Sequence, residues 1–129
     1  MPPIPADIAK AGTEAAHQTA LFCWAALPEI KLKYPELELL FHIPNGGTRN
    51  KAEAGALKAQ GVKSGVPDLF LPVPKGCYAG LWIELKVGKN KPSDNQDRWI
   101  ANLTKQGYAV SVAYSWIEAT EHLIYYLEQ

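Results

Sequence analysis

Apolar positions along the chain follow two periods, and the period changes at recognisable turn residues. Thr13 is suited to cap a helix, with Glu14 in its first turn. Ala15, Leu21, Phe22 and Ala25 then recur at helical spacing in a run that reaches Leu27. Pro28 stops or restarts that helix, and a short run from Lys31 to Tyr34 extends it before Pro35. Leu37 to Ile43 reads as a strand, Pro44-Asn45-Gly46-Gly47 as a loop, and Arg49 to Gln60 as a helix closed by Gly61. Asp68 to Val73 and Leu81 to Val87 read as two strands around a Pro74-Lys75-Gly76-Cys77-Tyr78 turn, which predicts an antiparallel hairpin. Ser93 caps a helix to about Gln106, Gly107 closes it, Tyr108 to Ala113 is a strand, and Ser115 opens a last helix. This order predicts an α/β fold, a mixed sheet of about four strands flanked by helices. Residues 1–12 read as a flexible arm ahead of one domain over 13–129.

With 129 residues, 47% of them apolar, the chain can bury a core without metal or disulfide staples. Cys23 and Cys77 have neither zinc-site spacing nor the makings of a disulfide framework, so both read as free thiols in a reducing compartment. No leader pattern and no membrane-length apolar run are present, which predicts a cytoplasmic protein without a membrane partner. Net charge is zero, an argument against nucleic acid until its distribution is considered. Residues 42–105 hold ten of the thirteen Lys/Arg and five of the thirteen acids, a net of +5. That is a modest basic footprint, equally readable as solvated surface charge.

The chemistry concentrates in Leu81-Trp82-Ile83-Glu84-Leu85-Lys86. Side chains alternate across a strand, so Trp82, Glu84 and Lys86 share one face, while Leu81, Ile83 and Leu85 enter the core. A surface ion pair is the plain explanation of Glu84 and Lys86. Against it, the neighbouring strand opens with Pro67-Asp68, and a hairpin can bring Asp68 close to Glu84. Two adjacent carboxylates repel unless a cation or a proton lies between them. A hard divalent cation is the common remedy, and it suits phosphodiester hydrolysis. Lys86 would then position water or stabilise developing charge.

The stretches Gly61-Val62-Lys63-Ser64-Gly65-Val66-Pro67-Asp68-Leu69, Trp82-Ile83-Glu84-Leu85-Lys86 and Ser93-Asp94-Asn95-Gln96 together resemble the virus-type replication-repair nuclease (VRR-Nuc) family, a branch of the PD-(D/E)XK superfamily. The Pro44-Asn45-Gly46-Gly47 loop and the Glu14 helix fit its pattern too, so the similarity runs through nearly the whole chain from Thr13. The resemblance implies a restriction-endonuclease-like core. It implies Mg²⁺ or Mn²⁺ held by Asp68, Glu84, the Leu85 carbonyl and Glu14, with Lys86 catalytic and a role for Gln96. It implies a stand-alone endonuclease domain acting in DNA repair on branched DNA, including four-way (Holliday) junctions, in a phage or bacterial setting. A homodimer follows from the two-fold symmetry of such a junction. One rival reading is a DNA-binding module of the same fold without catalysis; another is an enzyme that uses the paired carboxylates and a metal on a different phosphate ester.

Several residues have structural explanations as well. Glu14 suits a helix dipole, and Gln96 completes a Ser93-x-x-Gln96 capping box. Asn45, Gly46 and Gly47 are turn formers that also allow close approach to a phosphate, with Arg49 beside them. Lys63 and Ser64, just ahead of Asp68, are candidate DNA-backbone contacts. His42 is more readily structural than a base, and Trp82 could line the cleft.

Overall fold

The computed structural model describes residues 3–44 and 50–129. Among these residues the elements run α1 (Pro5–Ala9), α2 (Glu14–Ala25), α3 (Pro28–Lys33), a 3-10 helix (Pro35–Leu39), β1 (Phe41–His42), α4 (Lys51–Ala59), β2 (Leu69–Leu71), β3 (Leu81–Leu85), α5 (Asp94–Lys105), β4 (Ala109–Ala113) and α6 (Trp116–Leu127). The strands form one sheet in the order β1-β2-β3-β4. β1, β2 and β3 pair antiparallel, and β4 joins β3 in parallel by way of α5. The expected α/β architecture with a mixed four-stranded sheet is therefore present.

The capping residues act as expected. Thr13 accepts from the Ala16 amide, and Ser115 from the Glu118 amide. Gly107, at φ 92°, ends α5 in a conformation that suits glycine, and Tyr108 N–H returns to the Leu103 carbonyl. Leu69, Leu71, Leu81, Ile83 and Leu85 enter one core with Leu21 of α2 and Ala119, Leu123 and Leu127 of α6. α2 packs on α6, and the Trp116 amide donates to His17 Nδ1 at 3.0 Å. This contact helps set the start of α2, and so Glu14, relative to the sheet.

On the other face, cross-strand register lines up Phe41, Phe70 and Trp82. Phe70 and Trp82 stack at 4.2 Å, and Tyr108 meets both rings edge-on. Trp82 belongs to this aromatic cluster and does not line the cleft described below.

Two expectations need correction. Leu37 to Ile43 is not one strand: most of it is the 3-10 helix, and β1 is two residues long. Buried Tyr34, Leu37 and Leu40 repeat every third residue, which suits the three-residue turn of a 3-10 helix and not a strand. Residues 1–12 are not simply an arm, since α1 packs against α2 and Cys23 Sγ donates to the Pro3 carbonyl at 3.3 Å. No described helix is long and apolar enough to cross a membrane.

Candidate active site

β1 and β3 both anchor Asp68. The β2–β3 register pairs Leu69 with Ile83, and one further step sets Asp68 opposite Glu84. Directly opposed residues share a sheet face a few ångström apart. Asp68 Oδ2 accepts the Leu85 amide at 2.8 Å. The Asp68 carbonyl accepts the Ile43 amide at 2.7 Å and His42 Nδ1 at 3.0 Å.

Glu84 is 1% exposed, and its Oε1 has no hydrogen-bond partner. Burial is the main reason that its carboxyl resists ionisation. A hydrogen bond with Asp68 adds to this, as do the negative charges of Asp68 and Glu14, while Lys86 pulls the other way. The net effect pushes the Glu84 pKa up to about 9. At neutral pH the opposed carboxyls therefore hold a proton between them, in the place where a cation would serve the same purpose.

Beside the pair lies a cleft of about 310 Å³, lined by Glu14, Gln18, His42, Asp68 and Leu85 among others. Glu14 reaches it from the first turn of α2, and Asn90 Nδ2 donates to Glu14 Oε2 at 3.4 Å. Gln18 follows one turn later on the same helix face. Hard oxygen donors thus come from α2, from the start of β2 and from β3. Among the described residues, no three His, Cys, Asp or Glu side chains form a ready-made metal cluster. The oxygens suited to a hard cation are those of the Asp68–Glu84 pair, with the Leu85 carbonyl and Glu14 nearby.

A model of the VRR-NUC domain family matches residues 12–116, a span that contains Glu14, Asp68, Glu84, Lys86 and Gln96. The chain belongs to the VRR-NUC family. A solved structure titled "VRR_NUC domain protein" is similar to it at 30% identity and a TM-score of 0.75, over 90% of this chain and 88% of that one. A comparison with curated proteins gives no match. VRR-NUC membership brings nuclease-type chemistry, with DNA as the partner.

The expected VRR-NUC site residues are placed unevenly. Asp68, Glu84, Leu85 and Glu14 come together, and Lys86 follows Glu84 with its amide bonded to the Ala113 carbonyl at 2.8 Å. Gln96 does not line the cleft. Its Oε1 accepts the Ser93 amide at 2.8 Å, so the capping box uses this side chain. Ser64 gives its carbonyl and hydroxyl to Asn95 Nδ2, at 2.8 and 2.5 Å, and Lys63 is exposed beside it. Asn45, Gly46, Gly47 and Arg49 lie outside the described residues. Gln18 was missed by the sequence reading, although its spacing of four from Glu14 on a helix is a usable signal.

The Ser64–Asn95 contact locks the loop that leads into Pro67-Asp68 onto the start of α5. Gly65 sits there at φ 90°, and an added Cβ would lie 2.9 Å from the Asn95 backbone carbonyl carbon and oxygen. Gly65→Ala is predicted to cost about 2 kcal/mol or more, through left-handed backbone strain and backbone overlap. Urea unfolding measures this, and an unchanged midpoint would show that the loop is not locked.

Proposed function

We propose that this VRR-NUC chain is a Mg²⁺- or Mn²⁺-dependent, structure-specific endodeoxyribonuclease that hydrolyses phosphodiester bonds in branched DNA, four-way junctions included, as a homodimer. The observation that carries the reading is the buried Glu84 oxygen without a partner, set against Asp68. A buried, unsatisfied carboxylate oxygen costs stability and is kept where it has work to do. The donor set fits a hard divalent cation: carboxylates of Asp68 and Glu84, the Leu85 carbonyl and Glu14. When bound there, such a cation makes a water nucleophilic at neutral pH and offsets charge on the phosphoryl oxygens.

The chain's own residues do the rest. The Leu85 amide holds Asp68 in one orientation. Lys86 follows on the same strand as a cation beside the acidic pair, suited to a phosphoryl oxygen as charge develops. The open cleft admits a DNA backbone, and the excess of Lys/Arg over residues 42–105 favours its approach. Homodimerisation is the simplest way to bring two such sites to the two strands of a symmetric junction.

The test is cleavage of a labelled panel of duplex, single-strand, flap and four-way junction DNA in Mg²⁺, Mn²⁺ or EDTA. Lys86→Ala is expected to slow cutting about 10²- to 10³-fold, with DNA affinity changed little. Light scattering with and without DNA reads the oligomeric state. Tight junction binding with no cutting in either cation would replace this reading with the DNA-binding module.

A further inference from the structure

Hydrolysis of a phosphodiester leaves one requirement to assign. The attacking water has to give a hydrogen bond to an acceptor, so that its lone pair faces phosphorus. Lys86 has only donors. The carboxylate oxygens of Asp68, Glu84 and Glu14 are those offered to the cation, and a separate acceptor at the cleft leaves them free for it. His42 supplies an acceptor. It stands on the edge strand β1 and lines the same cleft as Glu14, Gln18 and Asp68. Its Nδ1 lies 3.0 Å from the Asp68 carbonyl oxygen. A carbonyl can only accept, so Nδ1 carries the proton, and in the neutral ring Nε2 keeps the lone pair. The ring is also held in place, because the Ile43 amide bonds the same carbonyl at 2.7 Å as β1 runs along β2. His17 is the contrast: its Nδ1 accepts the Trp116 amide and is used in packing two helices.

We propose that His42 is a further catalytic residue of this site, its Nε2 accepting a hydrogen bond from the attacking water and aligning it with the phosphodiester. The proposal rests on the nuclease reading. The water oxygen bonds phosphorus, and the ester P–O bond to the leaving sugar oxygen breaks with its electron pair. The water gives one proton to solvent and the leaving oxygen takes one from solvent. His42 neither gains nor loses a proton in this step and serves by direction.

Two substitutions separate the two ring nitrogens. His42→Asn keeps a donor near the place of Nδ1 and removes Nε2. His42→Gln reaches about as far as Nε2 and gives up the short Nδ1 tie. Single-turnover cleavage of junction DNA in saturating Mg²⁺, DNA affinity in EDTA and the melting temperature are measured for both, beside the native chain and Lys86→Ala. His42→Asn is expected to cut about 10- to 100-fold more slowly, with affinity and melting temperature close to native. His42→Gln is expected to recover several-fold of that loss. Native rates in His42→Asn, or a His42→Gln no faster than His42→Asn, overturn the proposal while native cutting and its loss in Lys86→Ala leave the nuclease reading standing. No cutting by the native chain overturns both.

Discussion

Glu84→Gln is expected to raise the melting temperature of the metal-free protein at pH 7 by roughly 5–10 °C and to abolish cleavage. In the folded chain the Glu84 carboxyl holds its proton up to about pH 9, against an ordinary value of 4.5. Folding at pH 7 must therefore take up a proton that the unfolded chain has already lost. At 1.36 kcal/mol per pH unit, that uptake costs about 3 kcal/mol. Glutamine is neutral in both states and avoids the cost. Its amide can also donate to Asp68 as the shared proton does. Calorimetry in EDTA checks the gain, and a fall in melting temperature would mean that the carboxyl is stabilising as it stands. The same substitution removes an anionic oxygen from the proposed cation site, so stability and activity are expected to move in opposite directions.

The second large effect is the response of stability to pH and to divalent cations. Glu84 binds its proton more tightly in the folded state, so its contribution is most favourable below about pH 4.5 and declines as pH rises towards about 9. Without metal, the melting temperature should fall across that window. In the proposed site, Mg²⁺ or Mn²⁺ would compete with the proton for the same oxygens, so the stabilisation it gives is expected to grow with pH. At a hundred times its dissociation constant, a cation adds about 2.7 kcal/mol. Thermal melts from pH 5 to pH 9, with EDTA or with each cation, measure this. The cation effect should vanish in Glu84→Gln. A shift of equal size at every pH, or one that survives in Glu84→Gln, would place the cation elsewhere.

Much of this site is legible because a strand has a strict period. Alternation along Leu81 to Lys86 assigns Leu81, Ile83 and Leu85 to the core, and the structure buries all three. The hairpin expectation brings Asp68 to Glu84, and the register does so. The caps at Thr13, Ser93 and Ser115 are equally local, because a hydroxyl three residues ahead of an orphan amide needs no tertiary partner. The 3-10 helix after Pro35 is legible as well, in the three-residue spacing of Tyr34, Leu37 and Leu40, although the apolar content of Leu37 to Ile43 by itself suggests a strand.

Other features depended on contacts distant in sequence. Gln96 has two possible uses in its local sequence, and only the folded chain shows its side chain turned back to Ser93. Trp82 shares a strand face with Glu84, yet stacking on Phe70 draws it away from the cleft. His42 and Gln18 carry no motif; the first becomes part of the cleft through pairing with β2, the second through packing of α2.

Most of the element types, the strand faces, the helix caps and the carboxylate–lysine set follow from the residues alone, because each depends on backbone periodicity or on residues a few positions apart. Tertiary structure decided the burial of Glu84, its missing partner and its raised pKa, and the company of Glu14, Gln18 and His42 around Asp68. Those properties depend on what surrounds a charge, and here the surroundings come from segments up to seventy positions away in the chain.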